Sequence, residues 1–339
     1  MNVNRFKWSK LLTVVVSVLT LTVFGQFKAS ATHFAAGEIY LTYIGEGADG
    51  CSNTSEFKYL ITLDIYRACE RGSSPAPTFA TVNYGSVNGA FTGSVNFANL
   101  QRDTLHELCE AYADSNSCKV IPAQAGRPQF PAYVRHRFTD TLVLPSAQTD
   151  WLFSYNSCCR NGGIANGSAN GNFYIETMLN NLTKYNNSTP RFPEYARPLP
   201  YLCAMQPSSY ANLPFDLNKD SLYSTVQAPL SAANTPIPYS PTPPYSLGNP
   251  IGSITPFQFN PTTATAYFTP ANQGLYVMAF KVEEFDRATG VSLGYIIRDA
   301  QVSVFPCTAP PPAVDSLPPL ITNGELVKIN GEDAILACP

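Results

Sequence analysis

The sequence predicts an all-β protein built of tandem antiparallel β-sandwiches. Several segments alternate apolar and polar residues with a period of two, and each is bounded by Gly, Pro, Asn or Ser. Beyond residue 31, no segment keeps a helical period over roughly a dozen residues. Charged residues make up only 13% of the chain, whereas Pro (29), Tyr (19) and Phe (20) are plentiful. Short strands separated by frequent turns are typical of β-sandwiches.

Residues 1–31 have the features of a secretory signal peptide. Basic residues precede the apolar run LLTVVVSVLTLTVFG, and the small residues Ala29-Ser30-Ala31 supply a cleavage site. The run covers residues 11–25, which is shorter than the roughly 20 residues that span a bilayer. We therefore expect an exported protein that is not membrane-spanning after cleavage.

Period-two alternation is strongest in five segments. In EFKYLITLDIYRAC the odd-numbered residues from Phe57 to Ile65 are apolar, which predicts a half-buried strand. The last two segments are joined by the turn-rich DRATGVSLG, so they should form an antiparallel hairpin. The predicted strands cover residues 56–69, 133–144, 172–179, 275–285 and 295–305.

Two Pro-rich segments, 190–201 and 307–320, divide the chain. A third, 235–252, is expected to form a long surface loop within the second domain. Cys338 lies in an apolar stretch that stops before a partner strand, so we expect the chain to be part of a longer protein. The predicted organisation is a signal peptide (1–31), an N-terminal β-sandwich (32–192), a second β-sandwich (193–307), a Pro-rich linker (308–319) and the start of a further domain (320–339).

The nine cysteines of an exported chain should mostly form disulfides. Cys109 and Cys118 enclose a short polar loop and are the most natural pair. Cys158 and Cys159 are adjacent, and neighbouring residues on a strand point to opposite faces, so each should bond a different partner. The sequence leaves open the partners of Cys51, Cys69, Cys203 and Cys307.

The stretch FDLNKDSL has oxygen-bearing side chains at alternate positions, Asp216, Asn218 and Asp220. Such spacing is typical of Ca²⁺ loops. The alternative is a solvated polar turn, and the charge of Lys219 beside the site favours weak binding or none. Further ligands would have to come from the predicted hairpin, from Glu283, Glu284 or Asp286.

Several classes of function are disfavoured by what the sequence lacks. Neither G-x-S-x-G nor H-E-x-x-H occurs, and no nucleophile and base are paired, so we expect no enzyme and no cofactor beyond the possible Ca²⁺. A C-x2-C pair is also missing, which disfavours structural zinc. The net charge is −3 and the mature part has no Lys/Arg cluster, so nucleic acid is not an expected partner.

A family resemblance emerges from ordered blocks of sequence. ATHFAAGEIYLTYIG, YLITLDIYRAC, WLFSYNSCCRNGGI, RPLPYLCAMQP, FDLNKDSL and VSVFPC occur in the order seen in the N-terminal regions of large secreted surface proteins of Bacteroidota. The resemblance covers residues 32–307. It implies immunoglobulin/cadherin-like or PKD-like sandwiches stabilised by disulfides, and a gliding-motility-associated cargo of type IX secretion.

The chain departs from the pattern of these proteins in two places. They usually read D-P-D-G-D-S-L, whereas here Asn218 replaces a carboxylate and Lys219 replaces the turn glycine. Many of them also have a cysteine in each of the regions that here read LYSTVQAP and VMAFKVEEF. The resemblance thus implies a weaker Ca²⁺ loop and a lost disulfide.

Asp-Thr/Ser-Leu tripeptides occur four times and resemble the motif that Bacteroidota use for O-glycosylation of exported proteins. Ser316, in the Pro-rich linker, is the position where we most expect a glycan. The candidate acceptors are Thr104, Thr141, Ser221 and Ser316.

The function predicted from these features is that of a non-enzymatic, adhesin-like structural protein, secreted and associated with the cell surface. Its partners would be extracellular or cell-surface polysaccharides or proteins. The alternative is a carbohydrate-binding module, since sandwiches often present Tyr and Trp platforms. Trp151, however, lies in DWLFSYNSC, where a strand should bury it against a disulfide.

Overall fold

β-Strands, paired almost everywhere in antiparallel fashion, form the regular secondary structure. The computed structural model describes residues 34–46, 57–69, 77–105, 118, 130–167, 171–241 and 245–307, with strand backbone at 325–329 and 332–336. Within this part of the chain no residue is helical, and no helix that could cross a membrane is found. The predicted all-β, antiparallel fold class is confirmed.

The first half of the chain forms one long curled sheet. Its order is β4-β3-β7-β8-β17-β1-β2-β6-β5, in which β17 comes from the second half. The predicted strand at 133–144 is found with those bounds, and it pairs with β2 from Phe57↔Leu144 to Ala68↔Tyr133. The strands of this half are β1 (Phe34–Glu46), β2 (Phe57–Ala68), β3 (Ala80–Ser86), β4 (Phe91–Phe97), β5 (Asn99–Thr104), β6 (Tyr133–Leu144), β7 (Trp151–Ser157) and β8 (Phe173–Leu179).

This sheet folds back on itself around an apolar core. β4 contacts β6, and β1 contacts β7 and β8, although none of these pairs is hydrogen-bonded as neighbours. The alternating apolar residues of β2 are fully buried here, as the sequence predicts. Burial of these large side chains supplies the main stabilisation of the first half.

The second half is built on the predicted hairpin of β16 and β17, which pair from Gly274↔Val304 to Phe285↔Ser292. A three-stranded sheet, β10-β15-β14, packs on β16 through Phe280, whose ring contacts Tyr210 and Phe259. The strands are β9 (Tyr201–Cys203), β10 (Ser208–Ala211), β11 (Ser221–Gln227), β12 (Leu230–Ala232), β13 (Thr235–Pro236), β14 (Gln258–Asn260), β15 (Thr265–Phe268), β16 (Gly274–Phe285), β17 (Ser292–Phe305), β18 (Glu325–Ile329) and β19 (Glu332–Leu336).

The Pro-rich segment 235–252 is mostly loop, in agreement with its predicted character. It is nevertheless held against the second core, because Tyr245 and Ile251 are buried there. The signal peptide and the 308–319 linker lie outside the described residues. In the region of the predicted further domain, β18 and β19 pair as an antiparallel hairpin.

β17 connects the two halves. The two largest apolar clusters are formed by residues between 34 and 179 and by residues between 202 and 304. Three smaller clusters combine residues of both halves, for example Tyr174 with Ala279 and Ile297. β17 is hydrogen-bonded both to β16 and to β8, and it meets β1 at the pair Gly37↔Asp299. The backbone pairing therefore continues across the predicted boundary between residues 192 and 193.

Two fully buried ion pairs also join the halves. Arg298 on β17 donates from Nε and Nη2 to the Glu38 carboxylate on β1, at 2.6 and 3.0 Å. Arg160 donates from Nη1 to Asp299 at 2.7 Å. Each charge depends on its partner, because an unpaired buried charge is strongly destabilising.

The disulfides correct two predictions from the sequence. Cys118 bonds Cys69, at the end of β2, and not Cys109; the Cα atoms are 4.8 Å apart, within the range that a disulfide needs. Cys158 bonds Cys159 directly. The strand alternation used to exclude this bond does not apply, because β7 ends at Ser157 and Cys159 has a left-handed φ of 74°. Cys203 bonds Cys307, while Cys51, Cys109 and Cys338 lie outside the described residues.

Trp151 is fully buried (0% exposed) at the start of β7. Its ring stacks on Phe91 at 5.5 Å and contacts Tyr84, and its Nε1 donates to the Ser146 carbonyl at 3.2 Å. The predicted burial is confirmed, and the rings of Phe91 and Tyr84 pack against Trp151. Trp151 is therefore not available as a platform for a sugar.

Candidate metal centre

The loop FDLNKDSL is held between a backbone bridge and a strand. Phe215 exchanges two backbone hydrogen bonds with Arg191, at 2.9 and 3.0 Å, and Asp220 directly precedes β11. Asp216 Oδ2 accepts from the Asp220 amide at 2.9 Å, which closes the turn. Lys219 has a left-handed φ of 65°, a conformation that glycine adopts more readily.

Three carboxylates meet at this turn. Atoms of Asp216, Asp220 and Glu284 that could bind a metal all lie within 4.8 Å of one another. Glu284 is brought there by strand register, because it pairs with Leu222, two residues after Asp220. We call these three residues, with Lys184 and Asn187 beside them, the acidic cluster.

Glu284 is the only one of the three proposed hairpin ligands that joins the acidic cluster within the described residues. Glu283, on the opposite face of β16, accepts from Lys281 at 2.9 Å. Asp286 caps its own turn through the Thr289 amide at 2.8 Å and hydroxyl at 2.7 Å. Alternation along a strand would have separated Glu283 from Glu284, but sequence alone does not show which face meets the loop.

Several oxygens of the acidic cluster are buried without a hydrogen-bond donor among the described residues. Glu284 is 0% exposed, and its Oε1 has no partner. Oδ1 of Asp216 and Oδ1 of Asn187 are also buried and unpartnered. Asn187 is fully buried and donates from Nδ2 to Glu284 Oε2 at 3.1 Å. Buried acceptors normally have a partner, so these oxygens are suited to binding a cation or a further donor such as water.

The electrostatics of the acidic cluster favour an added positive charge. Burial, and then the charge of Asp216, raises the pKa of Glu284 to about 9. Burial also raises the pKa of Asp216. Both shifts have the cause expected when carboxylates share a site that water does not screen.

Lys184 supplies part of that positive charge. Its Nζ lies 2.6 Å from Asp220 Oδ2, and the Asp220 side chain is almost fully buried. One ammonium faces three carboxyl groups, so the acidic cluster retains capacity for a cation or for protons. Lys184 lies between β8 and β9, far from FDLNKDSL in sequence, and no local pattern predicts its contact.

Asn218 has a different part from the one predicted. Its Oδ1 accepts from the Ser188 amide at 2.9 Å, and its Nδ2 donates to the Asn186 carbonyl at 3.2 Å. Both ends of the amide are therefore engaged with the segment that carries Asn187. Asn218 positions this segment, and Asn187 is the amide adjacent to the carboxylates.

The side-chain oxygens of the acidic cluster are of the chemical type that Ca²⁺ prefers. Ca²⁺ takes about six to eight oxygen ligands and prefers carboxylates, with carbonyl oxygens and water completing the shell. Asp216, Asp220 and Glu284 supply carboxylates, and the Asn187 amide supplies an adjacent oxygen. A bound Ca²⁺ would neutralise the carboxylates and join three segments that are distant in sequence.

Three of the four candidate glycosylation sites lie in the described residues. Thr104 on β5, Thr141 on β6 and Ser221 on β11 are exposed, so their hydroxyls are accessible. Ser316 lies outside the described residues.

Comparisons with known proteins identify no family for this chain. No protein-family model matches it, and no curated protein matches it. Among solved structures, immunoglobulin domains 1–4 of Sidekick-1 align with a TM-score of 0.19 and 7% identity, over 79% of this chain and 90% of that chain. A likeness at this level carries no argument about fold or function.

Proposed function

We propose that this chain is a non-enzymatic structural protein of the cell surface, adhesin-like, whose two β-sandwiches are fixed by disulfides and by Ca²⁺ in the acidic cluster. The all-β fold and the disulfides support a protein that persists outside the cell, where disulfides are stable. The resemblance to Bacteroidota surface proteins supports export through type IX secretion.

The observation that carries the proposal is the acidic cluster itself, with its buried and unpartnered oxygens. It joins the 184–187 segment, the 216–220 loop and β16. A cation bound there would stabilise the folded state alone, because the unfolded chain does not hold these groups together. The expected function of Ca²⁺ is therefore to make rigid the contact between the segment after β8 and the second half of the chain, and not catalysis.

Thermal melting of the secreted chain in Ca²⁺ and in EDTA tests the proposal. With Ca²⁺ at about 100 times its Kd, the melting temperature should rise by roughly 5 °C. Glu284→Gln should abolish the rise, because it removes a buried carboxylate. Glu283→Gln is the matched control, since it makes the same change on the opposite face of β16 and should leave the rise intact. Equal shifts in both variants, or no shift in the wild type, would remove Ca²⁺ from the proposal.

The contact of Lys184 with Asp220 allows one alternative to Ca²⁺ binding, which is a covalent cross-link between the two side chains. Condensation of the Lys184 side-chain amine with the Asp220 carboxyl group would form an amide bond and release one water molecule. The mass of the intact protein distinguishes Ca²⁺ binding from a cross-link, because the amide lowers the mass by one water molecule. We expect the unmodified mass, with Asp220 free to bind Ca²⁺; loss of water would replace the metal by a covalent cross-link.

Surface exposure is tested on intact cells of the native host. Protease added outside the cells should digest the protein, and deletion of its gene should reduce attachment while leaving growth unchanged. A protein protected until the cells are lysed would contradict the proposed location.

Mass spectrometry of the native protein should find a glycan on at least one Asp-Thr/Ser-Leu site, with Ser316 the first to inspect.

A further inference from the structure

The small sheet β10-β15-β14 has an outer face that takes no part in either core. A groove of about 450 Å³ lies on this face. Ser209, Tyr267 and Gln258 stand side by side across it, because Tyr267 pairs with Ser209 on one side and with Gln258 on the other. Since neighbouring strands are about 4.8 Å apart, the row spans roughly 10 Å.

The opposite face of the sheet holds this row in place. Tyr210 and Ala266, next to Ser209 and Tyr267 in the chain, are buried in the second core. Phe268, which also borders the groove, stacks on Phe257 at 5.9 Å. The strand backbone is thus fixed by packing. The side chains on the outer face are therefore held in place before a ligand binds.

The row combines a free aromatic ring with free polar groups. Tyr267 is 46% exposed. Among the described residues, no hydrogen-bond partner is found for the side chains of Ser209, Tyr267 or Gln258. A hydroxyl and an amide both donate and accept hydrogen bonds, and a ring beside them offers an apolar surface for the C–H face of a sugar.

Charged groups are missing from the lining of the groove in the described chain. Its walls consist of Ser, Thr, Pro, Gln, Tyr and Phe. Recognition of phosphate, sulfate or carboxylate would require Arg, Lys or a helix terminus. The lining is therefore matched to a ligand that is polar, uncharged and flat on one side.

We propose that this groove binds a neutral polysaccharide, with a pyranose ring stacked on Tyr267 and its hydroxyls hydrogen-bonded to Ser209 and Gln258. The proposal goes beyond the structural function and does not depend on Ca²⁺. It also locates a sugar platform away from Trp151, which is buried.

Affinity electrophoresis of the secreted chain through gels containing laminarin, dextran, mannan or xylan tests this groove, with alginate as the acidic comparison. At least one neutral polysaccharide should retard the wild type, and alginate should not. Tyr267→Ala should weaken the affinity by about tenfold, and Gln258→Ala should weaken it to a smaller extent. Runs in EDTA should give the same retardation, which separates this test from that of the acidic cluster.

Tyr223→Ala is the matched control, because Tyr223 is 51% exposed on β11 and does not border the groove. It should leave retardation unchanged. The melting temperature of Tyr267→Ala should stay close to that of the wild type, since Tyr267 is exposed and is not a member of the second core. No retardation by any neutral polysaccharide, or equal losses in Tyr267→Ala and Tyr223→Ala, would overturn the proposal.

Discussion

At the scale of single residues, Lys184 and the carboxylates of the acidic cluster have opposite effects on a bound cation. The ammonium lies 2.6 Å from Asp220 Oδ2, where it stabilises the carboxylates when no metal is bound. A Ca²⁺ ion bound near Asp220 would be repelled by the Lys184 ammonium group unless that group moved away. Lys184 is therefore expected to lower the affinity for Ca²⁺.

Lys184→Gln should raise the Ca²⁺ affinity by about tenfold, because it removes one repulsive charge at short range. Titration calorimetry of the metal-free protein measures the change. Lys281→Gln, which removes a cation paired with Glu283 outside the cluster, should leave the affinity unchanged. A weaker affinity in Lys184→Gln would show that Lys184 supports the site.

His136 on β6 is a second residue whose charge state matters. It is buried beside Arg102, its neighbour on β5, and its Nδ1 has no partner among the described residues. Burial, followed by the charges of Arg102 and Arg67, lowers the pKa of His136 from 6.5 to about 4. The folded protein therefore keeps this imidazole neutral where the unfolded chain protonates it.

The stability contributed by neutral His136 is complete above pH 6.5 and is lost as the pH falls towards 4. His136→Phe should flatten the decline of the unfolding free energy in this window, because the ring no longer takes up a proton on unfolding. Urea denaturation at several pH values gives the two curves. Parallel declines in the wild type and the variant would show that other groups cause the acid sensitivity.

Part of the acidic cluster is predictable from the sequence, and the remainder depends on tertiary contacts. Asp216 and Asp220 were predicted from their spacing, and Glu284 was one of three named candidates. Asn187 and Lys184 have no motif, because their contact with the loop is formed only when the segment after β8 folds against β11 and β16. Asn218 fits the spacing equally well, but its amide is engaged by backbone groups that the sequence does not reveal.

At the scale of elements, strand prediction succeeded where alternation is long. Four strands, β2, β6, β16 and β17, each bury one or both faces over 12 residues or more. Their apolar residues are numerous enough to identify a strand from the sequence. β9, β12 and β14 have only three residues each, too few for a period. The predicted disulfide between Cys109 and Cys118 was wrong for a related reason. Residues that are close in sequence are not always close in the fold, and Cys118 bonds Cys69.

Gly294 shows how one position fixes the place of β17. Its φ is +142°, and a Cβ added there would lie 2.1 Å from the Met178 carbonyl on β8. Gly294→Ala should therefore lower the unfolding free energy by about 2 kcal/mol or more, measured by urea denaturation. Gly162→Ala, where a Cβ meets no atom within 4 Å, should change it little. Equal stability of the two variants would mean that β17 and β8 separate at low cost.

At the scale of the whole molecule, the two sandwiches are joined by more than a linker. Each half has a large apolar core, and smaller clusters combine residues of both halves. The pairing of β17 with β8 and the ion pair Glu38–Arg298 were not predictable, because both join residues that are distant in sequence. Gly294 pairs with Leu179, and Glu38 and Arg298 are 260 positions apart. Local patterns identify strands but not the neighbours that they acquire.

Residues 32–192 expressed alone should fail to melt cooperatively at the temperature of the intact chain. Without β17, the edges of β8 and β1 are unpaired, and Glu38 and Arg160 lose the partners of their buried charges, a change that costs about 3–5 kcal/mol per pair. Circular dichroism of the fragment, alone and co-expressed with residues 193–307, tests this. A cooperative transition of the lone fragment near that of the intact chain would establish two independent domains.

A crystal structure of residues 32–339 grown with Ca²⁺, with an anomalous difference map, would show directly whether the acidic cluster binds the ion. We expect one peak at the acidic cluster, about 2.3–2.6 Å from carboxylate oxygens of Asp216, Asp220 and Glu284. We also expect Lys184 Nζ to move away from Asp220. A map with no peak there, and with Lys184 still in contact with Asp220, would contradict Ca²⁺ as the ion that fixes this fold.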